Sequence, residues 1–361
     1  MADTIFTTSN ALTSKLFSQE LMVEAKKRTV FTKFIGKDSG AMIQTLEELQ
    51  KHPGDKVTFG LRMQLTGSGV AGDSVLEGQE EALSFFSTSL SIDQLRHAVK
   101  VTGNMSQQRV AYNLRSQAMS GLADWFSSRY DVAIINHLTG NSSQTNLLFT
   151  GNNTPVAPSS ANQIFAGNVG GESSLTASNT FSLPMINQMV VKAKTLTPAI
   201  RPIKLKYGEY YLLFLHPLQL NALKNDTNAT GWNGIYQAMI MGQTKENNPI
   251  FTGAAGMYNG VIIHEDARVT YGDNTQNLIH TDLGAPASGT TSVARAVFCG
   301  AQAAVMSWGR GYDWPHRYKW VEQTKDYENQ LGVSCGAVFG ATKCVYNSLD
   351  FATIVASTWA A

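Results

Sequence analysis

Cysteine is scarce in this sequence: Cys299, Cys335 and Cys344 are the only three among 361 residues. They form no CxxC pair and have no histidine at zinc-ligand spacing, which argues against a disulfide framework or a zinc knuckle. A reduced cytoplasm is the expected compartment. Charge is also thin, at 15% of residues, and nearly balanced, with Lys+Arg 28 against Asp+Glu 27. A protein held on nucleic acid by a broadly basic surface is thereby excluded, and any DNA contact is expected to be local or weak. No apolar run approaches the roughly 20 residues of a membrane-spanning helix. The richest runs, Tyr210 to Leu215 and Ala301 to Met306, are far shorter. Met1 to Asn10 lacks the basic patch and apolar stretch of a secretory leader, so assembly in the cytoplasm without a targeting step is expected.

What the chain does have is length and neutral polar surface. Single cores stop growing at about 250 to 300 residues, so two or three packed units are expected. Abundant Gly, Asn, Ser and Thr suit broad contacts with copies of the same chain. From Leu12 to Ile35, Leu16, Phe17, Leu21, Val23, Phe31 and Phe34 surround Lys26, Lys27 and Arg28, the pattern of a weakly amphipathic helical arm. Val57, Phe59, Leu61, Met63 and Leu65 alternate with polar residues or glycine, as do Leu95, His97, Val99 and Val101 further on. Between them lies an acidic, Gly-rich stretch from Gly67 to Glu81, so the segment reads as a two-stranded ribbon with a wide tip. Such a ribbon is marginal alone and needs a partner surface.

Ser106 to Leu138 holds Val110, Leu114, Ala118, Leu122, Trp125 and Ala133 at helical spacing and predicts one unbroken helix of roughly 48 Å. Gly140 to Thr180 turns to Asn, Ser, Gly and Thr and predicts an irregular insertion, followed by a helix over Leu183 to Leu196. Tyr210 to Leu215, Val261 to Ile263 and Ala296 to Cys299 read as strands, and His216-Pro217 opens a short helix. Gly300 to Trp308, rich in small residues, reads as a helix. Val333 to Phe339 and Thr342 to Tyr346 resume strand patterns. The fold class expected is α+β.

Three motifs offer chemistry and each has a plainer reading. Gly67-Ser68-Gly69-Val70-Ala71-Gly72 matches GxGxxG, with Asp93 near the ribose-acid spacing, which would suit a dinucleotide-binding enzyme. The preceding strand alternates, however, and Asp73, Glu77, Glu80 and Glu81 would crowd a pyrophosphate, so we read a loop tip. His264-Glu265-Asp266 resembles a metal or acid/base cluster, but neighbours on a strand face opposite ways, and we read an exposed strand end. No HxxxH spacing is present, and hydrolase readings have little support. Trp308, Tyr312, Trp314, Tyr318 and Trp320 interleave with Arg310, His316, Arg317 and Lys319, a pattern suited to stacking on single-stranded nucleic acid or to a packed hinge. We favour the hinge. No catalytic residue, cofactor or metal is expected.

Gly54-Asp55-Lys56-Val57-Thr58-Phe59, Leu65 to Asp73, Leu76-Glu77-Gly78-Gln79-Glu80-Glu81, Ile92 to Val99, Met105-Ser106-Gln107-Gln108-Arg109, Phe214-Leu215-His216-Pro217 and Asp326-Tyr327 resemble, in order, the major capsid proteins of tailed bacteriophages typified by the N-four podovirus. The resemblance covers nearly the whole chain, with 140–180 the least recognisable part. It implies the capsid fold shared by tailed phages and herpesviruses. The expected layout is an N-terminal arm (1–51), an extended loop (52–103), and a peripheral domain with a spine helix (104–200). An axial domain (201–312) and a return to the peripheral domain (313–361) follow. It further implies pentamers and hexamers of this chain in an icosahedral virion shell around double-stranded DNA, held without sequence specificity. Partners would be the chain itself, a portal protein, and scaffolding and decoration proteins, with no membrane. Within that frame the acidic tip Asp73, Glu77, Glu80 and Glu81 is expected to meet basic groups of a neighbour, with Arg109, Arg115 and Arg129 as candidates. Lys26, Lys27 and Arg28 are expected to face DNA. A cellular nanocompartment shell of the same fold is the alternative.

Overall fold

The computed structural model describes residues 21–25, 29–46, 54–62, 65, 67–82, 85–101, 103–109, 113–205, 208–225, 256–273, 292–309 and 317–360. The early strands are β1 Ile35–Gly36, β2 Ile43–Leu46, β3 Lys56–Arg62, β4 Phe85–Ser91, β5 Asp93–Lys100 and β6 Gln163–Phe165. The middle strands are β7 Ile203–Leu205, β8 Gly208–Leu215, β9 Gly256–Tyr258, β10 Val261–Glu265, β11 Tyr271–Asp273 and β12 Ser292–Cys299. Then come β13 Ala304–Trp308, β14 Tyr318–Lys325, β15 Gln330–Lys343, β16 Val345–Tyr346, β17 Leu349–Asp350 and β18 Thr353–Trp359. Helices are α1 Asn104–Gln108, α2 Leu114–Leu138, α3 Leu147–Thr150, α4 Leu183–Thr195 and α5 Pro217–Lys224.

Two sheets carry the chain. In the first, β1, β2, β13, β15 and β14 follow one another, with β5 added on β15; in the second the order is β6-β18-β12-β8-β10-β9, with β11 on β12 and β7 on β8. Tyr211 to Leu215 is buried along its length and runs parallel to β10, which explains an apolar run with no alternation. Helix α2 lies against the first sheet, where Tyr130 meets Phe339 at 4.6 Å between ring centroids and Phe126 meets Tyr318 at 5.3 Å, both edge to face. Helix α4 buries Met185, Ile186, Met189, Val190 and Ala193 on one stripe and packs on β18. The His216-Pro217 turn starts α5 as expected, with His216 Nδ1 accepting from Leu218 N and Gln219 Oε1 accepting from His216 N.

Several expectations need correction. The long helix is two helices, α1 and α2, because Asn113 caps the second: its Oδ1 accepts from Arg115 N at 2.9 Å. The spine is therefore the 25-residue α2, about 38 Å long. Asn113→Ala is expected to cost about 1 kcal/mol and Asn113→Asp only a few tenths, read from urea unfolding midpoints. The helix expected over Gly300 to Trp308 is instead a turn and then β13, whose five residues are buried between β2 and β15. Small side chains suit that doubly covered strand, and tertiary pairing overrides local propensity.

The ribbon is also re-paired. β3 runs antiparallel to β4, from Lys56↔Ser91 to Arg62↔Phe85, while the alternating residues 95 to 99 sit in β5 on β15. Their inward face meets α2, where His97 stacks on Trp125 at 4.5 Å between centroids. At Gly340 a Cβ would stand 2.2 Å from the Ser91 carbonyl, so glycine lets the β4–β5 corner cross β15.

Sheet membership cuts across the segments drawn from sequence. Residues 201–312 supply strands to both sheets, and β18, from the 313–361 segment, lies between β6 and β12 in the second. The 140–180 insertion is partly built in, with β6 on β18 and Asn162, Ala166 and Leu175 buried. Of the arm, residues 21–25 form a helical turn and Val30–Phe34 a 3₁₀ helix; the remainder of the helix expected over Leu12 to Ile35, with Lys26, Lys27 and Arg28, lies outside the described residues.

Candidate assembly surfaces

Among the described residues, the ribbon's acidic tip is the longest exposed stretch. Every residue of 67–82 is exposed except the partly covered Val70. Glu81 Oε2 accepts from Gly67 N at 2.6 Å and Glu80 Oε2 accepts from Gly78 N at 2.7 Å, folding the tip on itself. The first of these places a carboxylate on the amide that a GxGxxG loop would offer to phosphate. The strand before the loop is followed by an antiparallel partner, not by a helix and a parallel strand.

The three arginines expected to receive that tip do not form one patch. Arg115 is held within its own chain by a two-pronged bond to Glu322, Nε to Oε1 at 2.5 Å and Nη2 to Oε2 at 2.8 Å, and Trp320 Nε1 also donates to Glu322. Arg129, about 21 Å further along α2, lies over the rings of Phe149 and Trp125, with its guanidinium carbon 4.4 and 5.3 Å from their centroids. Arg109 is exposed just after α1.

Sequence reasoning missed a buried junction between arm, spine and second sheet. Asp131, on α2 inside the apolar run Tyr130 to Ile135, is fully covered and accepts from Arg268 Nη1 at 2.5 Å and from Val30 N at 3.2 Å. Burial pushes its carboxyl up to about 7, against the pull of Arg268 and of the arm's amides. Asp266 Oδ2 sits 3.9 Å from the same guanidinium. His264 is buried, stacked on Phe214 and edge-on to Phe34, so the His264-Glu265-Asp266 run is not an exposed strand end; only Glu265 is exposed. The one sequence signal for this junction was a lone carboxylate inside an apolar helical stretch.

Two further polar groups, one buried and one half-buried, are held by local partners. His137 Nε2 lies 2.8 Å from the Thr150 carbonyl, and burial lowers its pKa to about 4. Glu172 binds Arg295 through both oxygens; burial alone would raise its carboxyl, but the guanidinium and Ser357 hold it below the usual value. All three cysteines are buried and their thiols pushed up by burial. Trp308, Tyr318 and Trp320 pack in the core beside α2, with Arg317 over Trp308; Arg310, Tyr312, Trp314 and His316 lie outside the described residues. Among the described residues no group of three His, Cys, Asp or Glu could hold a metal ion, and no helix is long and apolar enough to cross a membrane.

This two-sheet fold has counterparts among known proteins. A family model described as phage capsid protein matches residues 5–361. The major capsid protein of Pseudomonas phage KPP25 is 31% identical over 359 residues, 92% of this chain and 90% of the relative. Among solved structures, the capsid of Ralstonia phage GP4 superposes with a TM-score of 0.77 at 30% identity, covering 100% of this chain and 99% of the other. The cyanophage Pam1 capsid shares the fold at a TM-score of 0.68 and 19% identity over 93% of each chain. With the family pattern running from the arm to the final strand, and the same α+β capsid fold in these relatives, the chain belongs to the phage capsid protein family as a bacteriophage major capsid protein, a component of the virion.

Proposed function

We propose that copies of this chain associate as pentamers and hexamers into an icosahedral shell that encloses double-stranded DNA. The observation that carries this reading is the exposed, acidic 67–82 tip of the β3–β4 ribbon: the strands themselves pack on their own chain, with Phe59, Leu61 and Leu90 buried, while the tip stays open to contact with another subunit. In this reading residues 52–103 act as the extended loop, α2 as the spine of the peripheral domain, and much of 201–312 as the axial domain. A portal protein occupies one vertex, scaffolding and decoration proteins assist, and assembly takes place in the host cytoplasm. The chain performs no catalysis of its own. Shell stability is then the sum of many weak contacts, each exposed ion pair adding about 0 to 1 kcal/mol.

The test is electron microscopy of the purified recombinant protein, with light scattering on the same sample. Closed shells or capsomer rings are the expected result. A strictly monomeric species, persisting when portal and scaffolding partners are co-expressed, overturns the proposal. DNA-filled particles from a phage carrying neutral residues at Lys26, Lys27 and Arg28 are expected to hold less DNA. Undiminished DNA content removes those three from the DNA-facing surface.

A further inference from the structure

We propose that the cavity between the N-terminal arm, α2 and the first sheet is a binding site for a small aromatic carboxylate. The site lies apart from the assembly surfaces above, and its test does not depend on them.

Three distant stretches of chain build the cavity. The arm from Thr29 to Lys37 forms one wall, and α2, β2, β13 and the start of β14 form the others. The volume is about 260 Å³. That is close to the lower end of the roughly 300 to 1,000 Å³ typical of small-molecule sites, and it suits one ring with a short side chain.

The deep walls are apolar and fixed by packing. Ile134, Met306 and Trp308 line the cavity and are buried core residues. Trp308 stands edge to face against Tyr130, with 5.0 Å between ring centroids. A flat ring entering beside them gains apolar contact without having to order any of these side chains first.

The charge of the lining has one sign. Lys37 and Arg317 line the cavity, and no Asp or Glu does. Arg317 lies over the face of Trp308, its guanidinium carbon 5.0 Å from the ring centroid, so the cation and the apolar wall are held together. Asp131, next in sequence to the lining residue Tyr130, is turned to Arg268 and to Val30 N.

An independent sign of a missing acceptor comes from Tyr130. It lines the cavity, it is 3% exposed, and its hydroxyl has no hydrogen-bond partner among the described residues. The Tyr318 hydroxyl is near enough to be felt electrostatically but stands outside hydrogen-bond geometry. Burial raises the Tyr130 pKa well above its usual value, so the group stays a protonated donor at neutral pH. A buried donor of this kind calls for an acceptor. Two cations, one unmet donor and apolar walls together match a carboxylate on a small ring. The carboxylate oxygens meet Arg317 and the Tyr130 hydroxyl, and the ring lies along Trp308 and Met306. Nucleic-acid phosphates could reach Lys37, which is exposed, but a duplex cannot bring its backbone to a hydroxyl as deeply covered as that of Tyr130. Since one wall belongs to the arm, an occupant fastens the arm to the spine and the sheet.

The experiment titrates the purified full-length chain with sodium phenylacetate and, separately, with neutral phenylacetamide, by calorimetry and by hydrogen exchange. Phenylacetate is expected to bind with a Kd of about 1 mM or tighter and the amide about tenfold more weakly. Exchange of the backbone N–H groups of 29–37 is expected to slow when phenylacetate is present. Arg317→Gln is expected to weaken phenylacetate binding about tenfold while leaving the weak binding of the amide unchanged, a difference that a merely structural role would not produce. Thr32→Phe, which adds a ring to the arm wall, is expected to exclude both compounds; if that variant fails to fold, the Arg317→Gln comparison decides. Absence of binding at about 10 mM phenylacetate overturns the proposal. So does equal affinity for acid and amide, or an affinity that Arg317→Gln leaves unchanged. Displacement of phenylacetate by a short DNA duplex overturns it in favour of nucleic acid.

Discussion

Asp350→Ala destabilises the folded chain by about 3 to 5 kcal/mol, the usual cost of leaving one member of a buried ion pair without its partner. Lys343 Nζ lies 2.6 Å from Asp350 Oδ1, with side chains 0% and 2% exposed. Burial lowers the Lys343 pKa while Asp350 pulls it back up, so the ammonium depends on that carboxylate. The pair also joins three pieces of chain: Lys343 donates to the Ala157 carbonyl, and Ser159 N donates to Asp350 Oδ2. Lys343→Met is expected to cost a similar amount. The double variant Lys343→Met/Asp350→Leu should recover most of the loss, because neither charge is then stranded. Urea unfolding of the three variants measures this. A double variant as unstable as either single one would show that packing, not charge, sets the cost.

The second large effect is a pair of opposed pH dependences. Asp131 has a folded pKa raised to about 7 from 3.8, so the folded state holds a proton that the unfolded state has released. Its contribution is fully present below pH 3.8 and is lost as pH rises through about 7. His137 has a folded pKa lowered to about 4 from 6.5, so its unfolded form holds the extra proton and stability is lost as pH falls from 6.5 to 4. At about 1.4 kcal/mol per unit the two slopes nearly cancel between pH 4 and 6.5.

Removing either group exposes the other. Relative to the unaltered chain at each pH, Asp131→Asn gains about 4 kcal/mol between pH 4 and pH 8. His137→Gln, whose amide can still donate to the Thr150 carbonyl, gains about 3 kcal/mol between pH 7 and pH 4. Chemical denaturation across that range supplies both curves. A flat difference for Asp131→Asn would mean that its carboxyl titrates alike in folded and unfolded chains.

What was legible in the sequence was local. The alternation of Val57, Phe59 and Leu61, the continuous run of Tyr211 to Leu215, the stripe of Met185, Ile186 and Met189, and His216-Pro217 each announced the element that formed. What failed depended on partners distant in the chain. Ala304 to Trp308 is a strand because β2 and β15 flank it, and residues 95 to 99 alternate because they face Trp125, not because they close a hairpin with β3. The candidate surfaces divided in the same way. The acids of the tip stood out as a cluster in sequence, whereas Lys37, Tyr130, Trp308 and Arg317 come from three distant segments and line one cavity only in the fold. Arg115 looked available until Glu322 was placed beside it.

The position of β18 has a consequence in time. It pairs with β6 on one edge, Val355 opposite Gln163, and with β12 on the other. Roughly 190 residues separate those first two partners, about 10 to 40 s of synthesis at 5–20 residues per second. Until the ribosome has delivered Thr353 to Trp359, the edges of β6 and β12 that it joins stay open. The subunit is thus a poor building block throughout its own translation, and becomes competent only once the late strand has closed the sheet. A nascent chain carries its acidic tip from early on but lacks a finished body to place beneath it. Polysomes crowded with such chains are therefore kept from nucleating shells, and assembly begins with completed subunits.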